Sequence, residues 1–153
     1  MTTIHMHTTA KVTPEQFLAA LVDFGPGRSK IFSNSSDDFE TVHASGADWA
    51  DVTEGSRVAW ERLRYDWSDP MRVTMKTTDS NIWGGASGHT YTLTRQSDGT
   101  TAVDVVVVRD GKNVKGRLVA SLLKTVGNGA LSKGLTRTVK AIEDRNADPN
   151  TNT

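Results

Sequence analysis

The chain has 153 residues, with 18 basic side chains, 18 acidic side chains and no cysteine. This length fits one domain that buries most of its apolar surface, and the balanced charge lacks the basic field that drives nucleic-acid binding. The absence of cysteine excludes disulfides and thiol chemistry. No apolar run approaches the ~20 residues that span a bilayer, and the N-terminus lacks a signal-peptide pattern. We therefore expect a cytoplasmic protein with no nucleic-acid partner and no stable membrane insertion.

The N-terminal segment predicts a strand followed by a helix. Apolar and polar residues alternate from residue 3 to 12, and the more apolar set is Ile4, Met6, Thr8, Ala10 and Val12. In "TPEQFLAALVDF", Thr13 suits an N-cap, Pro14 suits the first helical position, and Gln16 has capping-box spacing. The helix should end near Asp23, and "RSKIF" predicts a short second helical turn.

Six further segments have strand patterns, separated by Gly, Asp and Asn. They are "FETVHASG", "WADVTE", "SRVAWERLRYDW", "MRVTMKTTD", "SGHTYTLTRQ" and "TTAVDVVVVRD". "SDP" at 68–70 and "SDG" at 97–99 are typical of hairpin turns. Short connections between successive strands predict an antiparallel meander.

A long helix should begin near Lys112, but its apolar pattern changes phase. The first apolar set is Val114, Leu118, Leu122 and Val126, and after "GNG" at 127–129 the set becomes Leu131, Leu135, Val139 and Ile142. A kink at 127–129 would reset the phase. Alternatively the helix is continuous and the first face goes on through the small residues Thr125, Gly129, Ser132 and Thr136, which would leave volume for a ligand. The polar tail 146–153 should be disordered, which leaves a single domain at 1–145.

Two charged features carry weaker signals. His5 and His7 share one face of the first strand, but no third ligand is evident and no metal is predicted. The terminal helix has a basic outer face made of Lys112, Lys115, Arg117, Lys124, Lys133, Arg137 and Lys140. Such a face is usually solvated, and contact with a membrane surface or an acidic partner is the alternative.

Seven strands with one C-terminal helix predict a curved antiparallel sheet wrapped around that helix, with space left for a ligand. The element order and the stretches "TPEQFLAALVDF", "FETVHASG", "VTEGSRVAWERLRYDWSDPMRV", "TDSN" and "GRLVASLL" resemble the START-like, or helix-grip (SRPBCC), superfamily. They look most like small bacterial proteins of the polyketide cyclase/dehydrase type, and the resemblance covers about residues 2–145. It implies an α+β helix-grip fold with an apolar ligand cavity, and it carries no catalytic motif that maps onto this chain.

Within this fold, alternation assigns the side chains that face the helix. They are the even positions 4–12, Val73, Met75 and Thr77, then His89, Tyr91 and Leu93, and Ala59, Glu61, Leu63, Tyr65 and Trp67. Arg62 and Arg64 should lie outside, together with Trp60, which would need cover from arginine side chains or a partner. The predicted ligand-cavity residues are Met6, Glu61, Leu63, Tyr65, Trp67, Met75, His89, Tyr91, Leu118, Leu122, Thr125 and Gly129.

Glu61, His89 and Tyr91 are the candidate catalytic residues. A carboxylate in an apolar cavity has a raised pKa unless a cation compensates, and it could then move a proton. His89 and Tyr91 share its face and could complete an acid/base set. The simpler interpretation is that Glu61 is ion-paired and that His89 and Tyr91 are hydrogen-bonded core residues.

Three functions compete at this stage. The first is a carrier or sensor of a small hydrophobic molecule that is lipid, sterol-like or polyketide-like. The second is a cyclase, dehydratase or isomerase that acts on a polyketide- or steroid-like substrate. The third is a protein-interaction module that uses Trp60 and the outer sheet face. No cofactor is predicted, and the chain should be a monomer or homodimer.

Overall fold

The computed structural model describes residues 1–32 and 35–147. In chain order the elements are β1 (Thr2–Ala10), α1 (Pro14–Leu21), two short 3₁₀ turns (Arg28–Lys30 and Asp37–Phe39), β2 (Thr41–Ser45), β3 (Trp49–Gly55), β4 (Trp60–Asp69), β5 (Arg72–Ser80), β6 (Gly88–Arg95), β7 (Thr101–Arg109) and α2 (Val114–Ala147). The predicted order is confirmed, apart from the second 3₁₀ turn, which was not expected. Residues 146–147 of the predicted tail belong to α2, and residues 148–153 lie outside the described part.

All seven strands form one antiparallel sheet in the order β1-β7-β6-β5-β4-β3-β2. The strands from β2 to β7 make the predicted meander, and β1 pairs with β7, so the first and last strands are neighbours. One core cluster joins the inner sheet face to α1 and to the C-terminal half of α2. Among the described residues, no helix has the length and apolar character needed to cross a bilayer.

Local sequence explains why α1 starts where it does. Thr13 Oγ1 accepts a hydrogen bond from the Gln16 amide at 3.2 Å, and the Thr13 amide donates to Gln16 Oε1 at 2.9 Å. This is the predicted capping box. The helix then buries Phe17 and Leu21 completely against the core, which closes one end of the sheet.

The inward faces assigned by alternation are confirmed for the strands except at Ala59, which is exposed and precedes β4. On β4, Leu63 and Tyr65 are 4% and 1% exposed, while Arg64 between them is exposed. The inward residues of β7 are Thr101, Val103, Val105, Val107 and Arg109, all of them buried. Trp60 is half-buried, and the outer-face tryptophan under an arginine is Trp49, whose ring centroid lies 3.8 Å from the Arg64 guanidinium carbon.

The predicted inner face of α2 is wrong in its first half. Val114, Leu118, Leu122 and Val126 are 61–73% exposed, and Thr125, Gly129, Ser132 and Thr136 are exposed as well. The positions that face the sheet are buried or half-buried, and they are Gly116, Ala120, Leu123, Leu131, Leu135, Thr138, Val139 and Ile142. Gly116 is buried although it has no side chain. These positions follow one helical periodicity, and α2 is one helix through 127–129. The apolar pattern therefore needs no kink at 127–129.

The start of α2 lies very close to the segment after β5. A Cβ on Gly116 would lie 2.0 Å from the Ile82 carbonyl oxygen. Only glycine permits this approach, and Ala120 one turn later packs with Ile82 and Trp83. This contact of Gly116 and Ala120 fixes the rotation of α2. Leu118 and Leu122, each two residues later, therefore point away from the sheet.

Candidate functional site

A polar cluster occupies one end of the concave sheet face. Glu61 stands at the beginning of β4, Thr77 near the end of β5, His89 at the beginning of β6 and Arg109 at the end of β7. Because these strands are antiparallel neighbours, the beginnings of β4 and β6 lie beside the ends of β5 and β7. The sheet topology thus assembles four inward polar side chains from four strands.

Arg109 holds Glu61 in a bidentate ion pair. Arg109 Nη1 donates to Glu61 Oε2 at 3.0 Å and Nη2 donates to Oε1 at 2.9 Å. Thr77 Oγ1 donates a third hydrogen bond to Oε2 at 2.8 Å. The guanidinium also stacks over the Trp83 ring, 4.9 Å from its centroid. The two parallel hydrogen bonds fix the carboxylate plane and leave it few free acceptor positions.

His89 completes the cluster as a hydrogen-bond acceptor of Arg109. Arg109 Nη2 lies 2.8 Å from His89 Nε2, and a guanidinium can only donate, so Nε2 accepts and the ring proton is on Nδ1. Glu61 Oε1 is 3.8 Å from the same nitrogen. His89 Nδ1 makes no hydrogen bond with any described residue, and the side chain keeps 21% of its surface exposed. The Nδ1–H is therefore a donor available to a bound molecule.

The electrostatics of the cluster keep Glu61 ionised. Burial raises the pKa of Glu61, but the positive charge of Arg109 and the two hydrogen bonds from its guanidinium lower it more. The resulting pKa lies well below the usual value for a glutamate. A carboxylate in this state is a weak base and does not donate a proton near neutral pH. From the sequence we expected a raised pKa for Glu61 unless a cation compensates its charge, and Arg109 is that cation.

Sequence reasoning missed Arg109, although a signal was present. The run "VDVVVVRD" was assigned as a strand, and Arg109 has the same parity as Val103, Val105 and Val107. The alternation that selected Glu61 would therefore have placed Arg109 on the inner face too.

The middle of the concave face is largely apolar and includes the hydroxyl of Tyr91. Tyr91 on β6 pairs with Val105 on β7, which pairs with Met6 on β1, so these three residues form one inward row. The Tyr91 side chain is 8% exposed and packs on Phe17, with the ring centroids 6.3 Å apart. Its hydroxyl has no hydrogen-bond partner among the described residues, and burial raises the pKa of Tyr91 to about 12. The phenol therefore keeps its proton and can donate it in a hydrogen bond.

Arg28 anchors a second, fully paired network at the other side of the core. Its Nε donates to Glu54 Oε1 at 3.0 Å and its Nη2 donates to the Tyr65 hydroxyl at 3.1 Å. Tyr65 in turn donates to Glu54 Oε2 at 2.8 Å. Arg28 is 3% exposed and lies between the Phe24 and Phe32 rings, at 4.6 and 4.5 Å from their centroids. This network fastens the 3₁₀ turn to the sheet and has a structural role.

The predicted cavity residues divide into two groups. Eight of them point inward, namely Met6, Glu61, Leu63, Tyr65, Trp67, Met75, His89 and Tyr91. Leu118, Leu122, Thr125 and Gly129 were wrongly placed, because this face of α2 points away from the sheet. A Cβ on Gly129 would meet nothing within 4 Å. The role of the inward eight in binding a ligand remains a prediction.

Two shallow depressions also lie on the outer face of the sheet. The first has a volume of about 490 Å³ and is bordered by outward residues of β5, β6 and β7, including Thr74, Thr90 and Val106. The second is bordered by Arg62, which makes a bidentate ion pair with Asp51. Both are open to solvent, unlike the enclosed apolar sites that small ligands prefer.

The structure is similar to several solved proteins, although the sequence matches no family model and no curated protein. It aligns over 99% of both chains with the Zhui aromatase/cyclase from a Streptomyces species, at a TM-score of 0.74 and 12% identity. A START superfamily protein from Mycobacterium smegmatis aligns over 94% of this chain and 95% of its own, at 0.67 and 10%. A Thermus thermophilus protein aligns over 92% and 97%, at 0.72 and 11%.

These likenesses establish the fold class. The chain has the START-like helix-grip fold, with a seven-stranded antiparallel sheet and a long C-terminal helix. Aromatase/cyclases are among the solved proteins that share this fold.

Proposed function

We propose that the concave face binds a small, mostly apolar molecule that carries a hydrogen-bond acceptor, and that the protein is a carrier or sensor of it. The observation that carries this proposal is the Tyr91 hydroxyl, which lies on the largely apolar concave face and has no hydrogen-bond partner among the described residues. Among the described residues no buried side-chain polar atom lacks a hydrogen-bond partner, so the unpaired Tyr91 hydroxyl lies at an accessible point of the concave face. A ligand oxygen could accept a hydrogen bond from Tyr91 there.

The polar cluster extends the same site. His89 is two residues from Tyr91 on β6, so both side chains point to the same sheet face. The His89 Nδ1–H and the Tyr91 O–H are therefore two donors on the same face of the sheet. Carbonyl and hydroxyl oxygens of lipid, sterol-like or polyketide-like molecules fit this pattern.

A cyclase, dehydratase or isomerase is the second candidate. It is favoured by the likeness to an aromatase/cyclase and by the two free donors, which could polarise a carbonyl group. Glu61 does not fit the role of its proton carrier, because Arg109 holds the carboxylate ionised and engages both of its oxygens. The geometry supports binding more strongly than proton transfer.

A thermal-shift screen tests the proposal with fatty acids, sterols and aromatic polyketides. A molecule that binds only the folded state stabilises it by RT ln(1 + [L]/Kd), about 2.7 kcal/mol at one hundred times Kd. Met6→Trp should abolish the shift of any active molecule, because Met6 is half-buried and points inward in the Tyr91 row. His5→Trp is the matched control, since His5 is the neighbouring exposed residue that points outward.

The proposal fails if no molecule of the panel raises the melting temperature. It also fails if Met6→Trp folds with an unchanged far-UV spectrum and binds as well as His5→Trp does.

A further inference from the structure

The outer side of α2 carries an exposed apolar stripe. Val114, Leu118, Leu122 and Val126 are spaced one helical turn apart and are 73%, 62%, 61% and 67% exposed. They lie opposite the small residues that contact the sheet, so no described part of the chain covers them. Single exposed leucines are common on protein surfaces, but four large side chains aligned on one helix face mark an interaction surface.

The charge around this stripe has one sign. Residues 111–142 contain seven of the 18 basic side chains and no acidic one. All 18 acidic residues and only 11 basic residues lie in the rest of the chain, which gives a neutral protein one basic side. Lys133 and Arg137, which continue the line of the stripe along the helix, and Arg117 are exposed and make no ion pair with a described residue.

We propose that this surface, the apolar stripe with its surrounding basic residues, docks on an anionic lipid bilayer. A helix with an apolar face and a basic polar face lies in the plane of a membrane interface, with the apolar side chains in the acyl boundary and the cations at the headgroups. Anionic lipid supplies an apolar phase for the stripe and negatively charged headgroups that can pair with the basic residues.

Charge also decides between the bilayer and a second copy of the chain. If two copies met through this helix, the basic residues of one would face those of the other, which is unfavourable. An anionic bilayer meets the cations on the stripe's side of α2, such as Lys133 and Arg137, with an opposite charge.

Docking through this surface leaves the concave site unobstructed. The stripe and the sheet-facing residues are on opposite sides of α2, so variants of the stripe do not alter the residues proposed to bind a ligand. The two proposals therefore stand or fall separately.

Vesicle co-sedimentation of the whole protein tests the inference. We expect binding to phosphatidylcholine vesicles that contain one third phosphatidylglycerol, no binding to pure phosphatidylcholine, and release by high salt. The double variant Leu118→Gln/Leu122→Gln should lower the partition coefficient by about tenfold or more, because it removes apolar insertion while glutamine preserves helix propensity. Val42→Gln, an exposed apolar residue on the edge strand β2, should bind like the parent protein.

Three results would overturn the inference. One is a lack of binding to the anionic vesicles, and another is equal binding by the leucine double variant with an unchanged circular dichroism spectrum. The third is a dimer, detected by light scattering, that the double variant dissociates, because the stripe would then be covered by a second copy.

Discussion

The Glu61–Arg109 ion pair is the residue-level feature that most constrains function. The Glu61 and Arg109 side chains are only 15% and 10% exposed, and their charges compensate each other within the concave face. Removal of one member leaves the other as an uncompensated, largely buried charge, which typically costs 3–5 kcal/mol. The pair therefore stabilises the polar end of the site and keeps the carboxylate from acting as an acid.

Glu61→Gln should lower the free energy of unfolding by about 3 kcal/mol at neutral pH. The folded pKa of Glu61 is depressed, so its stabilising contribution is complete above the unfolded pKa of about 4.3 and is lost as the pH falls below it. The difference between the parent protein and Glu61→Gln should thus shrink as the pH is lowered from neutral to about 3. Urea denaturation at several pH values measures it.

Asp38→Asn is the control for this experiment, because Asp38 is an exposed carboxylate. Its stability difference from the parent should be small at every pH. A Glu61→Gln difference that stays constant or grows at low pH would contradict a depressed pKa.

The orientation of side chains was predictable where strand alternation governs it. Glu61, His89 and Tyr91 were placed on the correct face from parity alone, since one face of each strand is buried. Arg28 was not predictable, because it follows the "GPG" turn and its partners come from β3 and β4. Nothing in the local pattern indicates that such an arginine is buried between two aromatic rings.

At the level of elements, the rotation of α2 determines which surface faces the sheet. Bulky side chains were expected to pack inward, which is the usual rule for an amphipathic helix. Here the helix start approaches the Ile82 main chain so closely that Gly116 and Ala120 form the contact instead. Periodicity locates such a helix correctly but selects the wrong face, because the backbone approach depends on a segment more than 30 residues away in sequence.

Two glycine substitutions test this rotation. Gly116→Ala should lower the free energy of unfolding by about 1–3 kcal/mol, because its Cβ would overlap the Ile82 carbonyl oxygen. Gly129→Ala should raise it by about 0.5–1 kcal/mol, because that Cβ meets open space and alanine has the better helix propensity. Chemical denaturation of both variants gives the comparison. Equal effects of the two substitutions would show that α2 has a different rotation.

At the scale of the whole molecule, the fold separates two surfaces. The concave side combines an apolar row with two unpaired donors, whereas the outer side of α2 combines an apolar stripe with unpaired cations. The fold class was predictable because element order and strand alternation are properties of the sequence itself. The ligand was not predictable, because its size and polar groups depend on the distance between sheet and helix, which local pattern does not encode.

Intermolecular nuclear Overhauser effects test the central claim, that a small molecule binds within the concave face. The experiment uses the molecule with the largest thermal shift and protein labelled at methyl groups and aromatic rings. We predict contacts from the ligand to the Met6 methyl group, the Val105 methyl groups and the Tyr91 ring, which form one inward row. Contacts confined to Leu118 and Leu122, or to residues on the outer face of the sheet, would contradict the claim.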